Sequence, residues 1–295
     1  MEQIKSCPVC GAEAFSQYLN CIDYTVSMDE FNIVECQQCS FRFTNPRPNA
    51  VEIIKYYQSD AYISHSNSKV GLLNNIYQSV RNYTIKKKIN LINKHVSRGT
   101  ILDIGCGTGE FLYQMKKNEW ATLGIEPGNQ ARNFAVTNYS LPVFEEAHLN
   151  TLKDGSFEVI TMWHVLEHVH ELNQRIETIK RLIKNDGVVI IAVPNHLSYD
   201  AQKYKNFWAA YDLPRHLYHF TPQTIRKLFD KHKFKLIKTL PMYFDSFYVS
   251  VLSEKYKKGN VNYLSAILSG LVSNTKAMVS ENDVCSSQIY IFKKA

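Results

Sequence analysis

From residue 100 onward, short apolar runs alternate with stretches whose apolar residues return every three or four positions. Thr100–Ile104, Thr122–Ile125, Val143–Phe144, Phe157–Trp163, Val188–Val193, Phe234–Leu240 and Gln288–Phe292 read as strands. Gly109–Asn118, Asn129–Asn138, Glu171–Ile183 and Thr221–Lys231 read as helices between them, the last with Thr221 as N-cap and Pro222 at its first position. This alternation predicts an α/β fold, a doubly wound sheet of seven strands with helices on both faces. Ligands of such sheets bind at the carboxyl ends of the strands. Residues 244–286 read as a partly helical insertion before the last strand.

The first hundred residues follow other patterns. Residues 1–48 carry only short alternating runs, Phe31–Val34 and Phe41–Phe43, among turn residues and cysteines. That is too little apolar material to fold without a staple. Asn45-Pro-Arg-Pro48 is a stiff connector, because proline fixes its own φ and restricts the residue before it. Residues 49–98 read as a helical linker or cap, with Ile53, Ile54 and Tyr57, then Ile85, Ile89 and Ile92, at helical spacing. The polar stretch Ser59–Gly71 between them reads as a loop. Residues 99–295 form the main domain.

Composition narrows the classes. With 45% hydrophobic and 21% charged residues among 295, the chain has the balance of a globular protein. A net charge of +7 permits anionic partners without requiring them. The start lacks an apolar signal-peptide core, and Tyr263–Val272 is too short to span a bilayer, so the expected location is the cytoplasm. Thiols stay reduced there, and paired cysteines hold metal more often than they form disulfides. Cys7-Pro-Val-Cys10 and Cys36-Gln-Gln-Cys39 are two C-x-x-C knuckles 25 residues apart, expected to hold one structural zinc through four thiolates. Cys21 is a weaker candidate.

Candidate chemistry concentrates after the first strand of the main domain. Gly105-Cys106-Gly107-Thr108-Gly109 runs directly into a helix, and glycines let the backbone take positive φ and approach a ligand closely. Some 21 residues past Gly105 the next strand ends in Glu126, suited to accept hydrogen bonds from two ribose hydroxyls. A dinucleotide fingerprint runs G-x-G-x-x-G, whereas these glycines alternate after Asp103. The run Leu102–Gly109, followed by Gly124-Ile-Glu-Pro127, resembles motif I and the ribose-binding acid of class I S-adenosylmethionine-dependent methyltransferases, over about residues 85–240 and the last strand. The resemblance implies a Rossmann-like methyltransferase sheet with a zinc-ribbon-like module in front, and S-adenosylmethionine as cofactor, converted to S-adenosylhomocysteine. It also implies roles for single residues. Gly105, Cys106 and Gly107 would line the methionine part, with Asp103 supporting the loop. Glu126 and Pro127 would lie at the ribose, Ala147 and His148 near the adenine, and Met162 and Trp163 over the cofactor.

Two polar clusters are candidates for the acceptor side. His164-Val-Leu-Glu167-His168 resembles the V-L-E-H-V stretch of small-molecule methyltransferases; in a helix its three polar residues share one face. His164 or His168 could act as base. Alternatively the trio could hold a divalent metal with a later histidine, as in the E-x-x-E-H pattern of some quinone and small-RNA methyltransferases, or be structural. After the fifth strand come Asn195 and then Arg215-His216-Leu-Tyr218-His219, in a segment (196–220) placed where an active-site lid belongs. Arg215 could hold an anionic acceptor, Asn195 and Tyr218 could contact it, and His216 and His219 could be bases. The expected function is methyl transfer to a small acceptor, saccharide-linked, lipid-linked or quinone-like. An RNA methyltransferase gripping through the zinc module and Lys86–Lys88 is the alternative, and a non-catalytic binding protein a third reading. Oligomeric state is not legible.

Overall fold

The computed structural model describes residues 1–57, 72–279 and 284–295, with side chains omitted for 72–77; the stretch 59–71 expected as a loop lies outside them. The chain opens with an antiparallel ribbon of β1 (Phe15–Ile22), β2 (Glu30–Cys36) and β3 (Arg42–Thr44). A 3-10 turn over Glu52–Tyr57 and helix α1 (Leu72–Asn93) follow. The main body then runs β4 (Thr100–Ile104), α2 (Glu110–Lys117), β5 (Ala121–Ile125), α3 (Asn129–Tyr139), β6 (Val143–Phe144), β7 (Phe157–Trp163), α4 (Leu172–Leu182) and β8 (Ile183–Pro194). It continues with α5 (Tyr199–Tyr204), β9 (Tyr218–His219), α6 (Pro222–Lys231), β10 (Phe234–Pro241), α7 (Tyr243–Lys258), α8 (Tyr263–Val279) and β11 (Ser287–Lys294).

Seven strands pair in the order β10-β11-β8-β7-β4-β5-β6, all parallel except β11, which runs antiparallel to both neighbours. This is the doubly wound sheet that the alternating pattern predicts. The order reverses beside β4, where the ligand cleft of such a sheet opens. Val188–Val193 on β8 are wholly buried because helices cover both faces. Sealing each such side chain contributes about 1.5–3 kcal/mol. On α4, Leu172, Ile176 and Ile179 fall on one buried stripe. A capping box between Thr221 and Thr224 starts α6, satisfying amides that have no partner inside the helix.

Two features depart from the sequence pattern, and a third adds the packing of a segment read as helical. The amino-terminal ribbon is not a closed unit: β9, from beyond residue 200, pairs with β3 as a fourth strand, with Phe43 opposite Tyr218. Segment 196–220 is largely buried, and Leu217 donates its backbone N–H to the Glu167 carbonyl at 2.7 Å. Finally, 244–286 contains the hairpin α7–α8, locked inward by Asp200, which accepts from Trp208 Nε1, Ser273 Oγ and Ser286 Oγ at 2.7, 2.6 and 2.7 Å.

Candidate active site and cysteine centre

The loop after β4 is shaped by its glycines. Gly105, Gly107 and Gly109 sit at φ of 75°, 57° and 83°, where a Cβ is strained. A Cβ on Gly105 would also clash with Val165 Cγ2, whereas one on Gly107 meets nothing within 4 Å. The loop is therefore packed from behind at Gly105 and open in front at Gly107. The Gly105 and Cys106 amides donate to the Ile125 carbonyl at 2.7 and 3.1 Å, tying the loop to the end of β5. There Glu126 accepts from Gly107 N at 2.8 Å and from Gly128 N at 2.7 Å. Burial pushes its carboxyl up, against the lowering pull of those amides.

Asp103 lies beneath the loop, accepting from Thr161 Oγ1 at 2.6 Å. Burial pushes its carboxyl up to about 7, although Thr161 and the Lys88 ammonium favour the charged form. Lys88 reaches in from α1 and rests 4.1 Å from the centre of the Trp163 ring. Burial pulls it down to about 8. The sequence pattern does not single out this use of Lys88; an apolar stripe at Ile85, Ile89 and Ile92 is what carries it there. The buried indole N–H of Trp163 has no hydrogen-bond partner among the described residues. Open space above Gly107, a carboxylate between two amides and this unpaired donor fit a nucleoside with a polar tail.

The other expected cofactor residues divide. Pro127 is exposed just past β5 and Ala147 in the 3-10 turn Glu146–Thr151 after β6, and His148 stacks on Phe144 with ring centres 4.0 Å apart. Met162 is corrected: its side chain is sealed in the core beside Ile160 and Leu166, because strand alternation turns it away from the face that Trp163 occupies.

Beyond β7 the segment does not turn into an α-helix, the condition for a shared polar face. His164 takes a φ of 58°, and only a 3-10 turn spans Leu166–His168, so the three polar residues do not share a helical face. His164 instead sits between two carboxylates, Nε2 at 3.0 Å from Asp245 Oδ2 and Nδ1 at 3.4 Å from Glu167 Oε1. Burial would favour neutral imidazole, but the two acids outweigh it and hold His164 up at about 10. A base role for His164 gives way, since it is already protonated near neutral pH. Asp245, in the first turn of α7, is a site residue that nothing in the local sequence announces.

His168 turns the other way. Its Nδ1 is 3.0 Å from the Arg215 carbonyl, to which it donates, and 3.0 Å from the Tyr57 hydroxyl, leaving Nε2 as the lone-pair nitrogen. Burial and the neighbouring His216 push it down to about 4, so it is neutral at physiological pH. The His216 ring stands 4.6 Å away, with Nδ1 pinned by the Ala210 carbonyl at 2.8 Å. Glu167, His168 and His216 each bring a ligand atom within 4.8 Å of the others. Beyond the His164 ion pair, the Glu167 carboxylate has no hydrogen-bond partner among the described residues, so this trio could hold a cation.

Arg215 is corrected as a grip for an anionic acceptor. It is 1% exposed, donates to Asp23 at 3.0 Å, to both oxygens of Asp212 at 3.0 and 2.6 Å, and to the Tyr56 carbonyl at 3.0 Å. Its donors are used in joining the amino-terminal ribbon to the main domain. Tyr218 likewise donates to the His170 carbonyl at 2.9 Å and accepts from Arg47. Asn195 donates to Gln288 Oε1 at 3.2 Å, closing the ends of β8 and β11. His219 is buried behind Thr44 and Tyr211, its pKa driven well down by burial. These three are structural in their contacts.

Cys7, Cys10, Cys36 and Cys39 bring their sulfurs within 4.8 Å of one another. A tetrahedral zinc with Zn–S of about 2.3 Å needs sulfurs about 3.8 Å apart; the pairs Cys7–Cys39 and Cys10–Cys36 stand at 3.6 and 3.5 Å. Four converging sulfurs fit a closed structural site. Cys21 lies apart, buried near Phe31 and Ile33.

Known proteins agree with this geometry. A family model described as a methyltransferase domain matches residues 77–239, more than half of the chain. The ubiquinone biosynthesis O-methyltransferase of Rickettsia akari is 28% identical over 146 residues, 45% of this chain and 57% of that protein. Its namesake from Haemophilus ducreyi is 31% identical over 125 residues, 39% of this chain and 51% of that protein. The chain thus spans about half the length of the curated relatives it matches. Among solved structures, magnesium protoporphyrin IX methyltransferase from Synechocystis, with bound SAH, aligns at a TM-score of 0.54 and 12% identity, covering 81% of this chain and 97% of that one. A SAM-dependent methyltransferase from Archaeoglobus fulgidus aligns at 0.51 and 18% identity, covering 72% and 94%. At these identities the structures share the fold. Together with the family match, the glycine loop, the acid at the end of β5 and the single antiparallel strand identify the chain as a member of the methyltransferase-domain family.

Proposed function

We propose that the protein transfers a methyl group from S-adenosylmethionine to a small-molecule acceptor, quinone-like or carried on a lipid or saccharide. The observation that carries the donor half is the Glu126 carboxylate, held between Gly107 N and Gly128 N at the mouth of an open glycine loop. S-adenosylmethionine supplies an electrophilic methyl on its sulfonium. Glu126 accepts from the ribose hydroxyls, the loop receives the methionine part, and Trp163 closes the acceptor side. His168, neutral and with Nε2 unprotonated, takes up only in passing the proton that the acceptor gives up, its lowered pKa releasing that proton to solvent. His216 stands beside it as a second candidate. Catalysis rests mainly on alignment of the two reactants.

The acceptor class draws support from the quinone-pathway names of the relatives. The RNA alternative loses ground, since Lys88 of the Lys86–Lys88 run turns inward onto Trp163. In this reading residues 1–48 hold a structural zinc and brace the acceptor side through β3 and β9.

Calorimetric titration with S-adenosylhomocysteine tests the donor half. The expected outcome is micromolar binding, weakened about a hundredfold by Glu126→Ala, a loss of about 2.7 kcal/mol, and at least as much by Gly107→Val. Unchanged affinity in both variants removes the reading.

A further inference from the structure

Helix α8 is amphipathic the wrong way round for a helix packed on a protein core. Its buried side is Ala266, Ser269, Gly270, Ser273, Asn274 and Ala277. Its solvent side carries Leu264, Ile267, Leu268, Leu271, Val272 and Met278, with Leu264 69%, Leu268 53% and Leu271 49% exposed. Those positions fall within one broad stripe of a 3.6-residue repeat. The small side is explained by α7: the Phe247 ring lies so close to Gly270 that a Cβ there would meet it at 2.6 Å, and Ser246 donates to Asn274 Oδ1 at 2.9 Å. The large apolar side is not explained by packing within the described residues.

We infer that this face docks on the surface of an anionic membrane leaflet, lying along it. Charge selects that occupant. The exposed positions of α7 and α8 include Lys255, Lys257, Lys258 and Lys276 and no carboxylate; Asp245 and Glu254 are turned to His164 and to Tyr204, Ser265 and Lys258. Lys258 pairs with Glu254 and Lys276 lies over the Tyr199 ring, which leaves Lys255 and Lys257, among the described residues, as the unpaired cations of a hairpin whose exposed charges are all positive. An apolar stripe on such a hairpin is the pattern of a helix held in the headgroup layer, with acyl chains covering the stripe and acidic headgroups meeting the ammonium groups. No helix among the described residues is long and apolar enough to cross a membrane, so the contact is with one face only. The surface is also coupled to the site, because the first turn of α7 supplies Asp245 to His164. This inference draws on the lipid-linked or quinone-like acceptor proposed above for its use, since a leaflet would bring such an acceptor beside the cleft.

The test is co-sedimentation of the full chain with vesicles, without donor or acceptor. Expected is binding to phosphatidylglycerol–phosphatidylcholine vesicles, weaker on phosphatidylcholine alone and weakened by salt. The double variant Leu268→Glu, Leu271→Glu should lose more than about tenfold in partitioning, and Lys255→Gln with Lys257→Gln should lower binding to anionic vesicles only. Both leave S-adenosylhomocysteine affinity and the thermal transition unchanged, which separates docking from folding and from the donor reading. A wild-type chain that stays in the supernatant with every vesicle overturns the inference. So does a concentration-dependent dimer, dissolved by the glutamate pair in the absence of vesicle binding, which would give the face to a second copy.

Discussion

The two sides of the cleft are built by opposite means. Apart from Trp163, the donor side comes from one contiguous stretch, β4 to Gly128, whose parts meet through local geometry: a positive-φ loop, two amides and the acid between them. The acceptor side draws on Asp23, Tyr56 and Tyr57, His164–His168, Asp212–His216 and Asp245, five places spread across the chain. Charge holds it together. Arg215 neutralises Asp23 and Asp212, and His164 is clamped by Asp245 and Glu167. A local device needs little support from elsewhere, whereas a distributed one depends on the packing of every segment that feeds it.

That contrast can be broken at several points. The largest expected effect is at the cysteines, because metal affinity of a thiolate site is also folding free energy. Cys36→Ser with Cys39→Ser should abolish stoichiometric zinc by elemental analysis and unravel the ribbon that pairs with β9. Turnover should collapse, while affinity for S-adenosylhomocysteine changes by less than about threefold if the two sides are independent. Arg215→Met comes next. It removes the cation shared by buried Asp23 and half-buried Asp212 and should lower unfolding free energy by about 3 kcal/mol in denaturant titration, Asp23 keeping its own loop amides as partners. A loss below about 1 kcal/mol would mean that Asp23 and Asp212 find water instead.

His168→Ala should reduce turnover by about 10²–10⁴-fold with donor affinity preserved. The companion His164→Asn should cost less, since His164 is protonated already. Equal effects would remove the division of roles between them. The smallest effect sits away from the cleft, at Glu158, where the Lys184 ammonium and the Thr100 hydroxyl and amide outweigh burial and hold the carboxyl down at about 2. A folded pKa below the ordinary 4.5 means its contribution is complete above about pH 4.5 and fades as pH falls toward 2. Glu158→Gln should flatten the acid limb of the stability curve by about 1 kcal/mol, leaving both sides of the cleft unaffected.

How much could be read in advance follows the same contrast. Strand after strand of the main sheet appears as an apolar run, although β8 begins five residues before its run because Ile183 pairs beside Phe157 as soon as α4 ends. Gly105, Gly107 and Glu126 are legible for the same reason: their roles depend on near neighbours. Arg215 and Tyr218 carry the right chemistry for substrate contacts, but nothing near them in the chain reveals that Asp23 and Arg47 take up their polar groups first. His164 misleads through its backbone, since a positive φ at a non-glycine residue has no signature in the residue type.

By itself, then, the sequence determined the order of strands and helices, the shape of the donor loop and the four thiols able to share one metal, all of them consequences of spacing and local conformation. Only the tertiary structure decided that β9 completes the amino-terminal sheet, that Asp245 and Glu167 favour the charged form of His164 while burial keeps His168 neutral, and that α8 turns its large apolar residues outward. Each of these depends on which distant groups are brought within a few ångströms, where burial and charge set protonation and packing chooses the face.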